Sequence, residues 1–290
     1  MHFLAVSMAL CAAALFGLNV HIQRKAGGQG NALEGAFLSV ASMSLMFWLA
    51  APFVVHSDWW LTRGALIFAL SGLFFPAMGQ TLQITSVKRV GPALTSSIGA
   101  FTPMFSVIPA VLFLGETFTT GIVAGIALMM AGMALAAQNR RGSPRQWPVW
   151  FLLIPLGAAF FRGVAQPITK LGFADMPSPY FAALLASTVS SVVLLMLVAL
   201  TRKKAAPTAA GRGRARLIFA LSGVINGFGI LSLNTAIQSG SLLIAAPLAS
   251  TAPLWALAFG AFIFRNEDLR RKHLIIAILV IVGAILIILH

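Results

Sequence analysis

Long apolar runs separated by short polar segments dominate this chain and leave few folds open to it. Ten such runs fall at 3–22, 34–55, 64–84, 92–114, 118–137, 149–169, 179–200, 215–236, 241–264 and 273–289. A helix of about 20 apolar residues crosses the hydrocarbon core of a bilayer. It also satisfies its own backbone hydrogen bonds there. We therefore predict an all-α integral membrane protein with ten transmembrane helices.

The composition excludes the other broad classes. Hydrophobic residues make up 59% of the chain and charged residues only 9%, whereas a soluble domain is about 25% charged. A disordered chain lacks this apolar content. The first run follows no Lys or Arg and precedes no small-residue cleavage pattern, so we interpret it as a retained helix and not as a signal peptide.

Basic residues are distributed unevenly between the connections. Connections after odd-numbered runs carry 17 Lys and Arg residues, those after even-numbered runs carry only Arg63 and Lys170, and Arg162 lies inside a run. Because cytoplasmic loops are enriched in Lys and Arg, we predict a cell inner (plasma) membrane protein with both termini extracytoplasmic. The net charge of +14 suits anionic lipid headgroups, and no nucleic-acid motif accompanies it.

An internal repeat relates the two halves of the chain. The segment Leu66–Gly72 recurs as Leu217–Gly223, an offset of 151 residues. The same offset relates two further landmarks, Glu116 to Glu267 and Gly132 to Gly283. We predict a first five-helix repeat over 1–140, a connecting loop over 141–148 and a second five-helix repeat over 149–290.

The odd number of runs in each repeat predicts two inverted five-helix repeats, because the second repeat then enters the bilayer in the opposite sense. Inverted repeats build transporters, in which substrate binds between the repeats near the bilayer midplane and access alternates between the two faces. Two fused repeats close a bundle without a partner, so we expect a monomer. We expect neither a cofactor nor a metal site.

Two kinds of short motif resemble the drug/metabolite transporter superfamily, and in particular its EamA-type ten-helix exporters. One motif is the Phe-Gly-Leu-Asn segment at 16–19. The other is the pair of segments Pro103…Glu116 and Pro253…Glu267. The resemblance implies export of small metabolites, and the YddG-like amino-acid exporters are one matching branch. Those exporters keep both termini in the cytoplasm, which the charge distribution here contradicts.

Polar residues recur at helical spacing inside four of the runs. Buried polar groups in a membrane usually face the bundle interior and often mark a pathway. We predict that these residues line one central cavity and contact substrate: Asn19, Gln80, Gln83, Arg162, Gln166, Asn226 and Asn234. The alternative for each Asn and Gln is a hydrogen bond that joins helices. The alternative for Arg162 is a structural arginine satisfied by helix-end carbonyls.

The resemblance adds residues from the fourth and ninth helices to this cavity. In that family these helices line the pathway, which implies substrate contacts for Ser97, Phe101, Ser250 and Trp255. Pro103 and Pro253 occupy matched sites in the two repeats. Because proline removes a helical hydrogen bond and bends a helix, we predict that both prolines serve in gating.

The leading hypothesis is export of small polar metabolites, most of all amino acids, by alternating access. Arg162 would bind a substrate carboxylate through two parallel hydrogen bonds. One alternative is an anion exchanger in which Arg162 and Lys170 hold a phosphate or a sugar-nucleotide. A remote alternative is an intramembrane enzyme, but the sequence contains no HExxH motif and no pair of mid-membrane aspartates. We therefore predict that the protein is not an enzyme.

Overall fold

The computed structural model describes residues 2–25, 32–90, 95, 98–99, 101–138, 148–201, 212–264 and 271–289. Every regular element in these ranges is helical. The α-helices are α1 (His2–Lys25), α2 (Ala32–Val54), α3 (Arg63–Gly72), α4 (Gly79–Val90), α5 (Thr102–Leu114), α6 (Thr120–Gln138), α7 (Leu153–Asp175), α8 (Pro179–Thr201), α9 (Arg212–Ser239), α10 (Leu242–Ala249), α11 (Ala252–Phe262) and α12 (Arg271–Leu289). Short 3-10 helices at Ser57–Leu61 and Val149–Leu152 precede α3 and α7.

Seven helical segments of the described chain are long and apolar enough to cross a membrane, so this is a multi-pass membrane protein. They are Phe3–Gln23, Ala32–Val54, Arg63–Ser86, Val149–Asp175, Pro179–Thr201, Gly213–Ser239 and Leu242–Phe262. Each falls on a predicted run, which confirms seven of the spans. Shorter apolar helices at Thr102–Leu114, Thr120–Gly132 and Ile275–Leu289 cover part of the other three. The count of ten stays a prediction.

Two of the predicted spans are interrupted, which the run lengths did not indicate. Between α3 and α4 the chain forms a π-helical segment, Leu73–Met78, that contains Pro76 and an extended Phe75. Between α10 and α11 it makes a turn at Ser250 and Thr251. A proline lacks the backbone N–H that the regular helix needs, and in a membrane helix a local π adjustment can satisfy the backbone groups that a proline leaves free.

The two matched prolines begin helices and do not bend continuous ones. Pro103 lies in the first turn of α5 and Pro253 in the first turn of α11. A proline in the first turn costs no hydrogen bond, because the N–H groups there have no partner within the helix. Any movement at these sites is therefore a change in the angle between a helix and the turn before it.

The helices pack in a single bundle with a repeated set of neighbours. Helix α1 packs on α9, α10 and α11, while α7 packs on α3, α4 and α5. Helix α2 packs on α9, and α8 packs on α3 and on the π segment. All of these contacts join the two halves of the chain, as do those of α2 with α8 and of α6 with α12. The fully buried side chains include Phe47, Phe68 and Phe181.

The bundle has two chemically different ends. At the basic end lie the exposed side chains of Lys25, Arg89, Arg214 and Arg216. The other end, which we call the distal end, is where the segments after α5, α7 and α9 meet. There Arg63 lies 4.0 Å from the carboxylate of Asp175, and both side chains are exposed.

Candidate functional site

Arg162 lies at the middle of α7 and directs its charge onto two aromatic rings. The guanidinium carbon lies 4.8 Å from the ring centroid of Phe75 and 5.4 Å from that of Phe16. Among the described residues, no group accepts a hydrogen bond from this guanidinium and no carboxylate pairs with it. Cation–π contacts supply only about 0.5–2 kcal/mol each. The five donors of the guanidinium are thus left for another partner.

Two glycines and the π segment make room for the rings beside Arg162. A β-carbon on Gly229 of α9 would lie 2.6 Å from the ring of Phe16. A β-carbon on Gly79 would lie 2.8 Å from the ring of Phe75. The extended backbone of Phe75, with φ of −148° and ψ of 130°, turns its ring out of the helical path. The two rings therefore fit beside Arg162 because Gly79 and Gly229 have no β-carbon.

A chain of buried amides and a hydroxyl lies at the same level of the bundle. Asn226 of α9 donates from Nδ2 to Gln80 Oε1 over 3.3 Å. Gln80 in turn donates from Nε2 to Ser39 Oγ of α2 over 3.3 Å. Gly79, next to Gln80, would bring a β-carbon within 3.4 Å of the backbone nitrogen of Arg162. The structure thus brings two of the predicted residues, Gln80 and Asn226, into one hydrogen-bonded group near Arg162.

Two further predicted residues carry side-chain oxygens without a partner. Asn19 Oδ1 and Gln166 Oε1 are buried, and no described residue donates a hydrogen bond to either oxygen. Asn19 follows Phe16 by one turn of α1, and Gln166 follows Arg162 by one turn of α7. Buried polar atoms are nearly always hydrogen-bonded, and leaving one without a partner costs about 1–3 kcal/mol. These two oxygens are candidates to accept hydrogen bonds from donor groups on a ligand.

Other predicted residues make contacts outside this hydrogen-bonded group. Asn234 donates from Nδ2 to the carbonyl of Pro179 over 3.4 Å, toward the distal end. Ser250, which follows α10, donates to the carbonyl of Ala246 in that helix over 2.9 Å. Trp255 packs against Phe259, with 6.0 Å between ring centroids.

Three more residues predicted to contact substrate are Phe101, Gln83 and Ser97. Phe101 precedes α5 and its side chain is exposed. Gln83 is half-buried on α4, one turn beyond Gln80 toward the basic end. Ser97 lies outside the described residues. In the part of the chain that the structure describes, no three His, Cys, Asp or Glu side chains come together as a metal site.

The sequence did not indicate one polar group, which lies at the distal end. Glu116 accepts hydrogen bonds from the start of α10, and Lys170 donates to carbonyls at the end of α9. From the sequence, Glu116 was predicted only as part of a repeated motif, and Lys170 only as a basic residue between runs and as the second cation of an anion exchanger. Their contacts link residues that are 67 to 127 positions apart, so spacing along the chain carries no sign of them.

Comparisons with known proteins give the family. The model of the EamA-like transporter family matches residues 3–138 and again residues 148–289. The "Probable terminal-alkyne amino-acid exporter" of Streptantibioticus cattleyicolor is 30% identical over 219 residues, which cover 73% of this chain and 71% of that protein.

The fold also occurs among solved structures. One crystal structure of another protein superposes with a TM-score of 0.78 at 16% sequence identity, and the match covers 97% of this chain and 95% of that chain. At this identity the likeness concerns the fold. The two family matches together span nearly the whole sequence, and they agree with the resemblance drawn from the Pro…Glu segments. This chain therefore belongs to the EamA-like transporter family and is a membrane transporter, not an enzyme.

Proposed function

We propose that this protein exports small polar metabolites, amino acids above all, by alternating access through a cavity between two inverted five-helix repeats. The observation that carries the substrate class is Arg162, a mid-membrane guanidinium with no acidic partner among the described residues. A charge in this position is costly unless something compensates it. A substrate carboxylate, bound through two parallel hydrogen bonds, supplies that compensation.

The unpartnered amide oxygens support a substrate that also carries an ammonium group. Asn19 Oδ1 and Gln166 Oε1 lie one helical turn from Phe16 and Arg162, and each lacks a donor. An α-amino acid presents a carboxylate and an ammonium group a few ångströms apart. The two charges of one such molecule match the guanidinium on one side and amide oxygens on the other. The exporter from Streptantibioticus cattleyicolor carries an amino-acid substrate in its name.

The helix contacts support the inverted repeats. Suppose that α1 and α2 correspond to α7 and α8, and that α3–α4 correspond to α9. Each main contact between the halves then has a counterpart in which the two halves exchange places. Helix α1 packs on α9 as α7 packs on α3–α4, and α2 packs on α9 as α8 packs on α3. The pairs α2–α8 and α6–α12 each join one element to its own counterpart, as a two-fold relation requires.

Single glycines support the same relation at atomic detail. A β-carbon on Gly17 would lie 2.8 Å from the carbonyl oxygen of Ala252, and one on Gly163 would lie 2.8 Å from that of Thr102. The two glycines occupy matched places on α1 and α7. Their partners occupy matched places at the starts of α11 and α5. A bundle whose halves close on each other in this way needs no second copy, so we include a monomer in the proposal.

The charge distribution supports a location in the cytoplasmic (inner) membrane with the basic end facing the cytoplasm. Both termini then lie outside. This orientation is opposite to that of the YddG-like amino-acid exporters. Inverted repeats give a fold whose two faces are related, so either insertion is compatible with the same architecture.

The anion exchanger is the weaker candidate, because its two cations do not share a site. Lys170 lies eight residues beyond Arg162 on α7, about 12 Å along the helix axis. Its ammonium group is occupied by the carbonyl oxygens of Ile237 and Gly240. A phosphate clamp built from both residues would need these contacts to be released.

Flux measurements on the purified protein test the proposal. Liposomes that contain the protein are loaded with unlabelled L-amino acids, and counterflow of labelled ones is followed across a panel of acidic, basic, small, branched and aromatic side chains. We expect saturable counterflow for at least one class and none for inorganic phosphate. Protein-free liposomes are the control. No flux of any amino acid across the panel contradicts the proposed substrate class.

A further inference from the structure

Glu116 ties the end of α5 to the start of α10 at the distal end. Its Oε1 accepts a hydrogen bond from the backbone N–H of Leu242 over 2.8 Å. Its Oε2 accepts from Ser241 Oγ over 2.9 Å and from the N–H of Leu243 over 3.0 Å. A carboxylate at a helix N-terminus is stabilised by the unpaired N–H groups and by the helix dipole.

Lys170 holds the other side of the same turn. Its Nζ donates to the carbonyl oxygens of Ile237 over 2.6 Å and of Gly240 over 2.5 Å. These carbonyls lie at the C-terminal end of α9, where a cation is favoured. Glu116 and Lys170 lie in different parts of the chain. Both bind to the short turn at residues 239–241 and to the residues next to it. We call these two residues and the turn the clamp.

The formation of α10 does not require Glu116. Ser241 is the N-cap of α10, and its hydroxyl already accepts a hydrogen bond from the N–H of Leu243 over 3.1 Å. That local cap is the usual way to begin a helix. What Glu116 adds is a connection between the first half of the chain, where it follows α5, and the second half, where the turn lies.

The clamp forms the wall of a cavity. A space of about 310 Å³ at the distal end is lined by Glu116, Lys170 and Gln238 together with apolar side chains, Leu114 and Phe173 among them. This volume is enough for one small polar metabolite. The clamp therefore borders a cavity at the distal end, and Arg162 lies eight residues before Lys170 on the same helix, about 12 Å closer to the middle of the bundle.

We propose that the clamp is the distal gate of the transporter, closed in this conformation and opened once in every transport cycle. The proposal rests on the alternating-access function given above. Separation of the halves at this end breaks the contacts of Glu116 with α10. The polar part of this connection between the halves is the set of three hydrogen bonds that Glu116 accepts from Ser241, Leu242 and Leu243. Such a contact can break and re-form repeatedly.

A reversible cross-link across the clamp tests whether it moves. Cys11 is first replaced by serine, and Glu116→Cys and Ser241→Cys are then introduced together. A short bis-methanethiosulfonate reagent joins the two thiols, and dithiothreitol releases them. We expect counterflow of the best amino acid of the panel to fall at least tenfold on cross-linking and to return on reduction. Each single-cysteine variant, treated in the same way, is the control. Unchanged flux in the fully cross-linked protein overturns the proposal.

A second measurement needs no substrate, and so separates the gate from the proposed function. A cysteine at Gln83, on the basic side of Arg162, is labelled with a membrane-impermeant thiol reagent added from the distal side. We expect Glu116→Gln and Lys170→Met to raise the labelling rate at least threefold. Arg63→Gln is the matched control, since it removes an exposed charge at the same end. Equal rates in all variants overturn the gate. A raised rate without any amino-acid flux leaves the gate standing and removes the substrate assignment.

Discussion

The guanidinium carbon of Arg162 lies 4.8 Å from the ring centroid of Phe75, and this contact joins α7 to the interrupted span between α3 and α4. The second ring, Phe16, approaches the same guanidinium from α1 at 5.4 Å. If α1 and α7 are counterparts in the repeat, Phe16 and Arg162 occupy the same place in the two halves. One half then carries an aromatic ring at the place where the other half carries the charge.

Replacement of Arg162 by alanine removes the mid-membrane charge that we assign to the substrate carboxylate. A charge-assisted hydrogen bond contributes about 1.5–3 kcal/mol. We therefore expect kcat/KM for a carboxylate-bearing amino acid to fall about 10- to 100-fold. Arg162→Lys keeps the charge but loses the bidentate geometry, so we expect partial recovery. Concentration-dependent counterflow in liposomes measures both variants. An unchanged kcat/KM in Arg162→Ala contradicts the assigned role.

Phe75 tests whether the rings position the guanidinium. Phe75→Leu keeps apolar volume and removes the ring face, at a cost of about 1 kcal/mol in cation–π attraction. We expect a fall of roughly fivefold in kcat/KM, with the protein still folded. Phe74→Leu is the matched control, because the Phe74 ring packs on Phe161 with 5.9 Å between centroids and is not among the rings at Arg162. Equal effects of the two variants contradict a specific role of Phe75.

The sequence predicted the helices well because a single requirement sets their length and composition. Each spanning segment must bury about 20 residues of satisfied backbone in lipid, and that requirement is visible as an apolar run. An apolar run does not indicate where the helix within it is interrupted. The extended Phe75 directly precedes Pro76, which lacks a backbone N–H. The turn at Ser250 and Thr251 comes just before Pro253 in the first turn of α11.

The site was predicted only in part, for a similar reason. Helical spacing placed Gln80 and Asn226 on inward faces, and the structure brings their side chains into contact. The same reasoning put Asn234 on one face with Asn226, but its amide reaches the carbonyl of Pro179 near the distal end. Depth in the bilayer decides which residues share a site. Spacing within one helix gives the face, while depth depends on how that helix is placed against others.

The orientation of the protein is predicted from its basic end. Leu61, whose side chain is 99% exposed, lies just before α3 at the distal end, and Arg214 is exposed at the basic end. Because the basic end is expected in the cytoplasm, Leu61→Cys in a Cys11→Ser background should react with an impermeant maleimide added to intact cells. Arg214→Cys should react only after the cells are permeabilised. The reverse pattern shows that both termini lie inside.

Gly125 and Gly283 give a prediction for stability at the α6–α12 contact. A β-carbon on Gly125 would lie 2.5 Å from the carbonyl oxygen of Gly283, and one on Gly283 would lie 2.6 Å from that of Gly125. Gly125→Ala therefore forces the two backbones apart, at a cost of about 1–3 kcal/mol. We expect the melting temperature in detergent to fall by roughly 3–10 °C. Gly213→Ala is the matched control, because no atom lies within 4 Å of its β-carbon position, and we expect no loss there. If both variants melt at the wild-type temperature, close approach of these two glycines is not what holds the halves together.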